Sequence, residues 1–275
     1  MDTTIFKRFS IFFCFLLFTS IAQAKYADIN GTRMYYDVSG WGTPVVMLHG
    51  GYADSDMWDI ESFLLSFKYK VIRLDSRGHG RTSDTNAPIT YEQMADDTLA
   101  LLDKLNISRA HFVGWSDGAV IASHIAATEP ARVNQLVLIG AAYQSDAYIP
   151  LFSWLMNDQA LFNGFIDATF GQKYQNTSPT PDYWPIFRDK LYNLWQTPCY
   201  FANATPEQCL ESLQSISAPT LVVAGELEIV DVSHTQAVAA AIPGAELKIV
   251  PLAGHFMPIA RPFLTTDIIK KFLNN

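Results

Sequence analysis

No lysine- or arginine-rich run occurs in these 275 residues, and 19 basic against 27 acidic side chains leave a net charge of −8 at pH 7. That balance offers no electrostatic footprint for nucleic acid and disfavours anionic membranes. No glycine-rich phosphate loop and no histidine pair at ligand spacing appears, so neither a metal nor an organic cofactor is implied. The uncharged run from Phe9 to Ala22 is shorter than the roughly 20 residues that span a bilayer. Signs of disorder are missing too. With 49% hydrophobic and 17% charged residues the chain suits one large domain, or a core with a small insertion.

What is present begins with a leader. Lys7 and Arg8 precede the apolar run, and Ala22-Gln23-Ala24 puts small residues where a signal peptidase needs them, so residues 1–24 read as a cleaved secretory signal. Bulky Phe13 before Cys14 argues against lipid attachment there. The protein is therefore expected to be periplasmic or secreted, with no stable membrane insertion after cleavage. Only Cys199 and Cys209 then remain, and an even pair so close in sequence is expected to form a disulfide in an oxidising compartment.

After the leader, Asn30-Gly31 between Tyr26–Asn30 and Arg33–Val38 predicts an antiparallel hairpin. Pro44–Leu48, Tyr69–Leu74, His111–Val113, Gln135–Ile139, Thr220–Ala224 and Glu246–Val250 are short apolar runs of the kind found in strands buried on both faces. Helical stretches separate them around Met57–Ser66, Tyr91–Leu105, Ser116–Thr128, Ser233–Ala241 and Arg261–Leu273. This alternation predicts an α/β protein with a mostly parallel sheet and helices on both faces. From residue 143 to 217 strand signals vanish and aromatics crowd in, predicting a helical cap inserted into a core of residues 25–142 and 218–275. An insertion between strands of an open sheet sits over the strand ends, where ligands bind.

The chemistry centres on Gly114-Trp115-Ser116-Asp117-Gly118, a Gly-x-Ser-x-Gly turn between a strand and a helix. Such a nucleophile elbow is so sharp that only small residues fit two positions either side of the serine. A serine needs a base to take its proton and an acid to orient that base. Of six histidines, His255 lies in a loop just after the last predicted strand, at the sheet edge where the elbow points. His111 and His124 read as structural, and His49 as a loop brace. The acid should follow Thr220–Ala224, because chain order in this architecture is serine, acid, histidine. Glu228 is the choice there, Asp231 stays open, and Glu226 reads as structural. Oxyanion donors are expected from the backbone N–H groups of Gly51 and Asp117. Trp115 and Tyr52 are candidate substrate contacts.

Together, Gly114-Trp115-Ser116-Asp117-Gly118, His49-Gly50-Gly51, Asp75-x-Arg77-Gly78-His79-Gly80-x-x-Ser83, Gly225-x-x-Glu228 and Gly254-His255 resemble the signature set of α/β-hydrolases that carry a cap after the sixth strand. The likeness covers nearly all of the chain after the leader. It implies an eight-stranded α/β-hydrolase sheet and a serine hydrolase acting on a small carboxylic ester or lactone. The family usually has aspartate at the acid position, where this chain has Glu228. The Trp-Ser-Asp-Gly elbow is similar to that of biphenyl-hydrolase-like and valacyclovir-hydrolase-like enzymes, in which the aspartate beside the nucleophile meets a substrate amine. Asp117 could do so here, or bond its own helix N-terminus. The alternatives are a proline-iminopeptidase-like aminopeptidase or amino-acid ester hydrolase, and, outside enzymes, a ligand-binding protein on the same fold.

Overall fold

Alternate side chains of the central strands enter two different hydrophobic clusters, one on each face of a single sheet. In a computed structural model that describes residues 23–201 and 204–274, Val46, Leu48, Ile72, Leu74, Phe112 and Leu138 belong to one cluster. Val45, Met47, Val71, Val113, Val137 and Ile139 belong to the other. The strands are β1 (Gln23–Ile29), β2 (Thr32–Ser39), β3 (Pro44–Leu48), β4 (Lys70–Leu74), β5 (Ala110–Trp115), β6 (Val133–Ile139), β7 (Thr220–Leu227) and β8 (Glu246–Gly254). Their order across the sheet is β1-β2-β4-β3-β5-β6-β7-β8. β2 runs antiparallel to β1 and β4, and the remaining pairs are parallel. The predicted leader lies outside the described residues except for Gln23 and Ala24, which pair with Val38 and Asp37.

Ten helices accompany the sheet among the described residues: α1 (Asp59–Leu65), α2 (Tyr91–Lys104), α3 (Asp117–Thr128), α4 (Pro150–Met156), α5 (Gln159–Ile166), α6 (Gln172–Thr177), α7 (Trp184–Trp195), α8 (Val232–Ala241), α9 (Met257–Ala260) and α10 (Pro262–Leu273). α2, α3 and α8 bury their apolar stripes in the first cluster, while α1 and α10 cover the opposite face through Leu65, Ile268, Ile269 and Phe272. Thr90 caps the start of α2, its hydroxyl accepting from the Gln93 N–H.

α4 to α7 form the aromatic-rich stretch between β6 and β7. They have no separate core: Met156, Phe162, Tyr174, Phe187, Leu191 and Trp195 join the same cluster as α2 and α3. A Cys199–Cys209 disulfide closes the stretch near its end.

Candidate active site

Four parallel strands deliver their C-terminal ends to one place. Gly51 follows β3, Ser116 follows β5, Glu228 follows β7 and His255 follows β8, the crevice at which open α/β sheets bind ligands.

The turn at Ser116 explains its neighbours. Ser116 has φ +54° and ψ −121°, a backbone state that L-residues rarely adopt and that persists only where the surroundings enforce it. A Cβ on Gly114 would lie 2.2 Å from the Gly118 carbonyl oxygen, and one on Gly118 would lie 2.2 Å from that of Leu48. Both positions must be glycine for strand, turn and helix to close on one another.

His255 Nε2 stands 3.1 Å from Ser116 Oγ, and its Nδ1 donates to Glu228 Oε1 at 2.5 Å. Glu228 is buried and also accepts the Ile229 N–H at 2.9 Å. Burial alone would raise its carboxyl, but His255 and the Ile229 and Val230 amides outweigh that and hold it below the usual carboxylate range. Gly140, at the end of β6, makes room for the pair: a Cβ there would approach His255 Nδ1 to 3.1 Å and Glu228 Oε2 to 3.2 Å. The Trp115 indole N–H donates to the His255 carbonyl at 2.7 Å, anchoring that loop to the elbow strand.

The other carboxylates near Glu228 are engaged elsewhere. Asp231 accepts the Ser233 N–H and hydroxyl at 2.8 and 2.6 Å, as the N-cap of α8. Glu226 accepts the Leu252 N–H at 2.9 Å. His49 donates from Nδ1 to the Gly50 carbonyl and accepts the Ser76 N–H at Nε2, bracing two loops. His124 bonds the Tyr200 carbonyl and stacks on Phe201. His111 packs edge-on against Tyr69.

Two expectations change. The Asp117 side chain neither caps α3 nor faces the cavity at Ser116. It is buried, accepting the Tyr91 hydroxyl at 3.0 Å and the Trp195 indole N–H at 3.1 Å. Burial pushes its carboxyl up to about 6, against the pull of Trp195, Tyr91 and His255. Its backbone N–H, in the first turn of α3, has no partner within the helix by position. Tyr52 does not line the cavity either. Its φ of +60° turns the ring among Phe170, Trp184, Phe187 and Trp195, and its hydroxyl donates to the Arg188 carbonyl at 2.9 Å. It joins β3's loop to the inserted helices.

The cavity at Ser116 has a volume of about 110 Å³. Gly51, Trp115, Ser116 and His255 line its sheet side, while Tyr148, Phe152, Phe165, Ile166, Phe170 and Trp195 come from the inserted stretch. An apolar chamber ending at a hydroxyl, an imidazole and a carboxylate in series can hold an apolar group while the imidazole takes the hydroxyl proton. Sequence reasoning named none of those six as individual cavity residues, since their aromatic richness showed without their facing.

Comparison with known proteins agrees with this architecture. The profile of the alpha/beta hydrolase fold matches residues 43–262. Serine hydrolase BPHL of Homo sapiens is 27% identical over 247 residues, covering 86% of this chain and 81% of that protein. Est816, described as an N-acyl homoserine lactone degrading enzyme, superposes with a TM-score of 0.70 at 28% identity, covering 90% of this chain and 100% of its own. The enol-lactonase from Burkholderia xenovorans LB400 gives 0.69 at 26%, covering 91% and 100%. The chain therefore belongs to the alpha/beta hydrolase fold family.

Proposed function

We propose that this protein is an exported serine hydrolase that cleaves a small carboxylic ester or lactone through an acyl-enzyme on Ser116. The observation that carries the reading is the unbroken series Ser116 Oγ, His255 Nε2, His255 Nδ1 and Glu228 Oε1, opening on an apolar cavity roofed by the inserted helices, which act as a cap.

His255 takes the Ser116 proton as Oγ bonds to the substrate carbonyl carbon, and the buried Glu228 carboxylate steadies the imidazolium that forms. The carbonyl oxygen becomes an oxyanion held by the N–H groups of Gly51 and Asp117. When the carbon–oxygen bond breaks, the proton passes from His255 Nε2 to the leaving oxygen. Water, deprotonated by the same histidine, then releases the acid and restores Ser116. Among the described residues no helix is long and apolar enough to cross a membrane. The basic and apolar leader and the Cys199–Cys209 disulfide both support export to an oxidising compartment.

The amine-recognising alternative loses support, because the Asp117 carboxylate faces Tyr91 and Trp195 rather than the cavity. A non-catalytic binding role would not require the Ser116–His255–Glu228 series. The test is hydrolysis of p-nitrophenyl esters from acetate to decanoate and of lactones, with fluorophosphonate labelling, by wild type and Ser116→Ala. Turnover and labelling that both vanish in Ser116→Ala support the reading. A wild-type protein that turns over nothing and stays unlabelled overturns it.

A further inference from the structure

We propose that an open groove lined by Leu227, Ile229, Leu252, Phe256, Met257 and Ala260 receives the leaving group of the substrate, and that this group is an extended apolar alcohol. The inference rests on Ser116 being the acylated residue.

The groove and the cavity share Ile229, His255 and Phe256 in their linings, so both adjoin the histidine. Chemistry then tells the two spaces apart. In acylation the carbonyl oxygen turns to the amides of Gly51 and Asp117, while the leaving oxygen must accept the proton carried by His255 Nε2. The space lined by His255 but not by Gly51 or Trp195 is the one the leaving group enters. The chamber at Ser116 keeps the acyl group.

A second observation points the same way. Leu252 has φ +53°, in the left-handed region that disfavours a leucine, yet its side chain is 69% exposed. Its N–H donates to Glu226, and Arg261 donates to the Leu252 and Pro251 carbonyls at 2.7 and 3.2 Å. Two charged side chains are thus committed to a turn that holds an apolar side chain in water beside the histidine. Leu227, 65% exposed, lines the same groove. Strained backbone that presents an exposed apolar surface at a site is the pattern expected where a ligand completes the packing.

The experiment holds the acyl group constant. Butyrate esters of methanol, hexanol and decanol, and of a carboxylate-bearing alcohol, are compared by kcat/KM in wild type, Leu252→Gly and Leu227→Ser, beside methyl esters of increasing acyl length. A fully buried methylene contributes up to about fourfold, so a groove that covers the alcohol in part predicts a rise of about tenfold from methyl to decyl. Both variants should lose most of that rise while keeping the dependence on acyl length. A wild-type profile flat in alcohol length, a preference for the carboxylate-bearing alcohol, or variants that keep the rise would each overturn the assignment while leaving the hydrolase standing. No turnover of any ester, with Ser116 unlabelled, overturns both.

Discussion

The Trp195 indole N–H lies 3.1 Å from each carboxylate oxygen of Asp117, tying the last turn of α7 to the residue that follows Ser116. Cap position and elbow geometry are therefore coupled through one buried bond. Trp195→Phe keeps the ring and removes the donor. We expect a stability loss of about 1–3 kcal/mol, the cost of an under-satisfied buried carboxylate, and a kcat lowered by as much as about a hundredfold with little change in KM. The sign with pH follows from the raised carboxyl of Asp117. Losing Trp195 raises it further, so the melting deficit should be larger at pH 8, where the carboxylate must ionise, than at pH 4, where folded wild type and variant both keep the carboxyl protonated. A deficit independent of pH would rule out the coupling.

The proposed acid, Glu228, is separable from its neighbour Asp231. Glu228→Ala should lower kcat by about a thousandfold or more, because the imidazole loses both its orientation and its counter-charge. Asp231→Ala should retain turnover and lower the melting temperature, because its carboxylate serves Ser233 at the start of α8. Steady-state kinetics beside thermal melts distinguish the two; the reverse pattern would move the acid to Asp231.

Glu61 on α1 is wholly buried, and neither carboxylate oxygen has a hydrogen-bond partner. Burial pushes its carboxyl up to about 8, against weaker pulls from its own backbone N–H and from Arg73. The folded state thus keeps a proton that the unfolded chain releases near the ordinary value of 4.5. Between those values the unfolded state binds fewer protons, so stability falls as pH rises and levels off above about 8. Glu61→Gln should remove that slope, becoming more stable than wild type by a few kcal/mol at pH 8 and nearly equal to it at pH 4. Parallel melting curves of the two proteins across that range would refute it.

Cys199 and Cys209 are 10 residues apart, and closing so short a loop is worth about 3 kcal/mol on the chain-entropy account. Cys199→Ser with Cys209→Ser should melt lower by that amount, and a reductant should lower wild type to match. A reductant without effect would show that the bridge contributes nothing.

The fold and the polar centre were legible because their signals are local. Gly114 and Gly118 flank the serine at the fixed spacing of the elbow, and Glu228 and His255 each sit just past a strand whose apolar run is plain. Asp231 stayed open as the acid, because its role as the cap of α8 shows only in the folded backbone. What the sequence hid depends on packing between distant segments. Asp117 meets Tyr91 and Trp195 only once α2 and α7 are in place. Tyr52 packs among Phe170, Trp184, Phe187 and Trp195, all of them more than 100 residues away in the chain. Glu61 reads as a solvated helix residue until α10 covers α1. The cap aromatics announced themselves by number, but which face the chamber was set by how α4 to α7 lie across the sheet.

Because the roof of the chamber belongs to the same hydrophobic cluster as α2, α3 and the sheet, acyl preference and thermal endurance are not independent traits in this chain. Reshaping Phe152, Ile166 or Phe170 for a different substrate alters the packing that holds the inserted helices. A library selected for new acyl groups should therefore spread in melting temperature as it spreads in specificity, and its best members should carry compensating changes on the sheet side of the cluster.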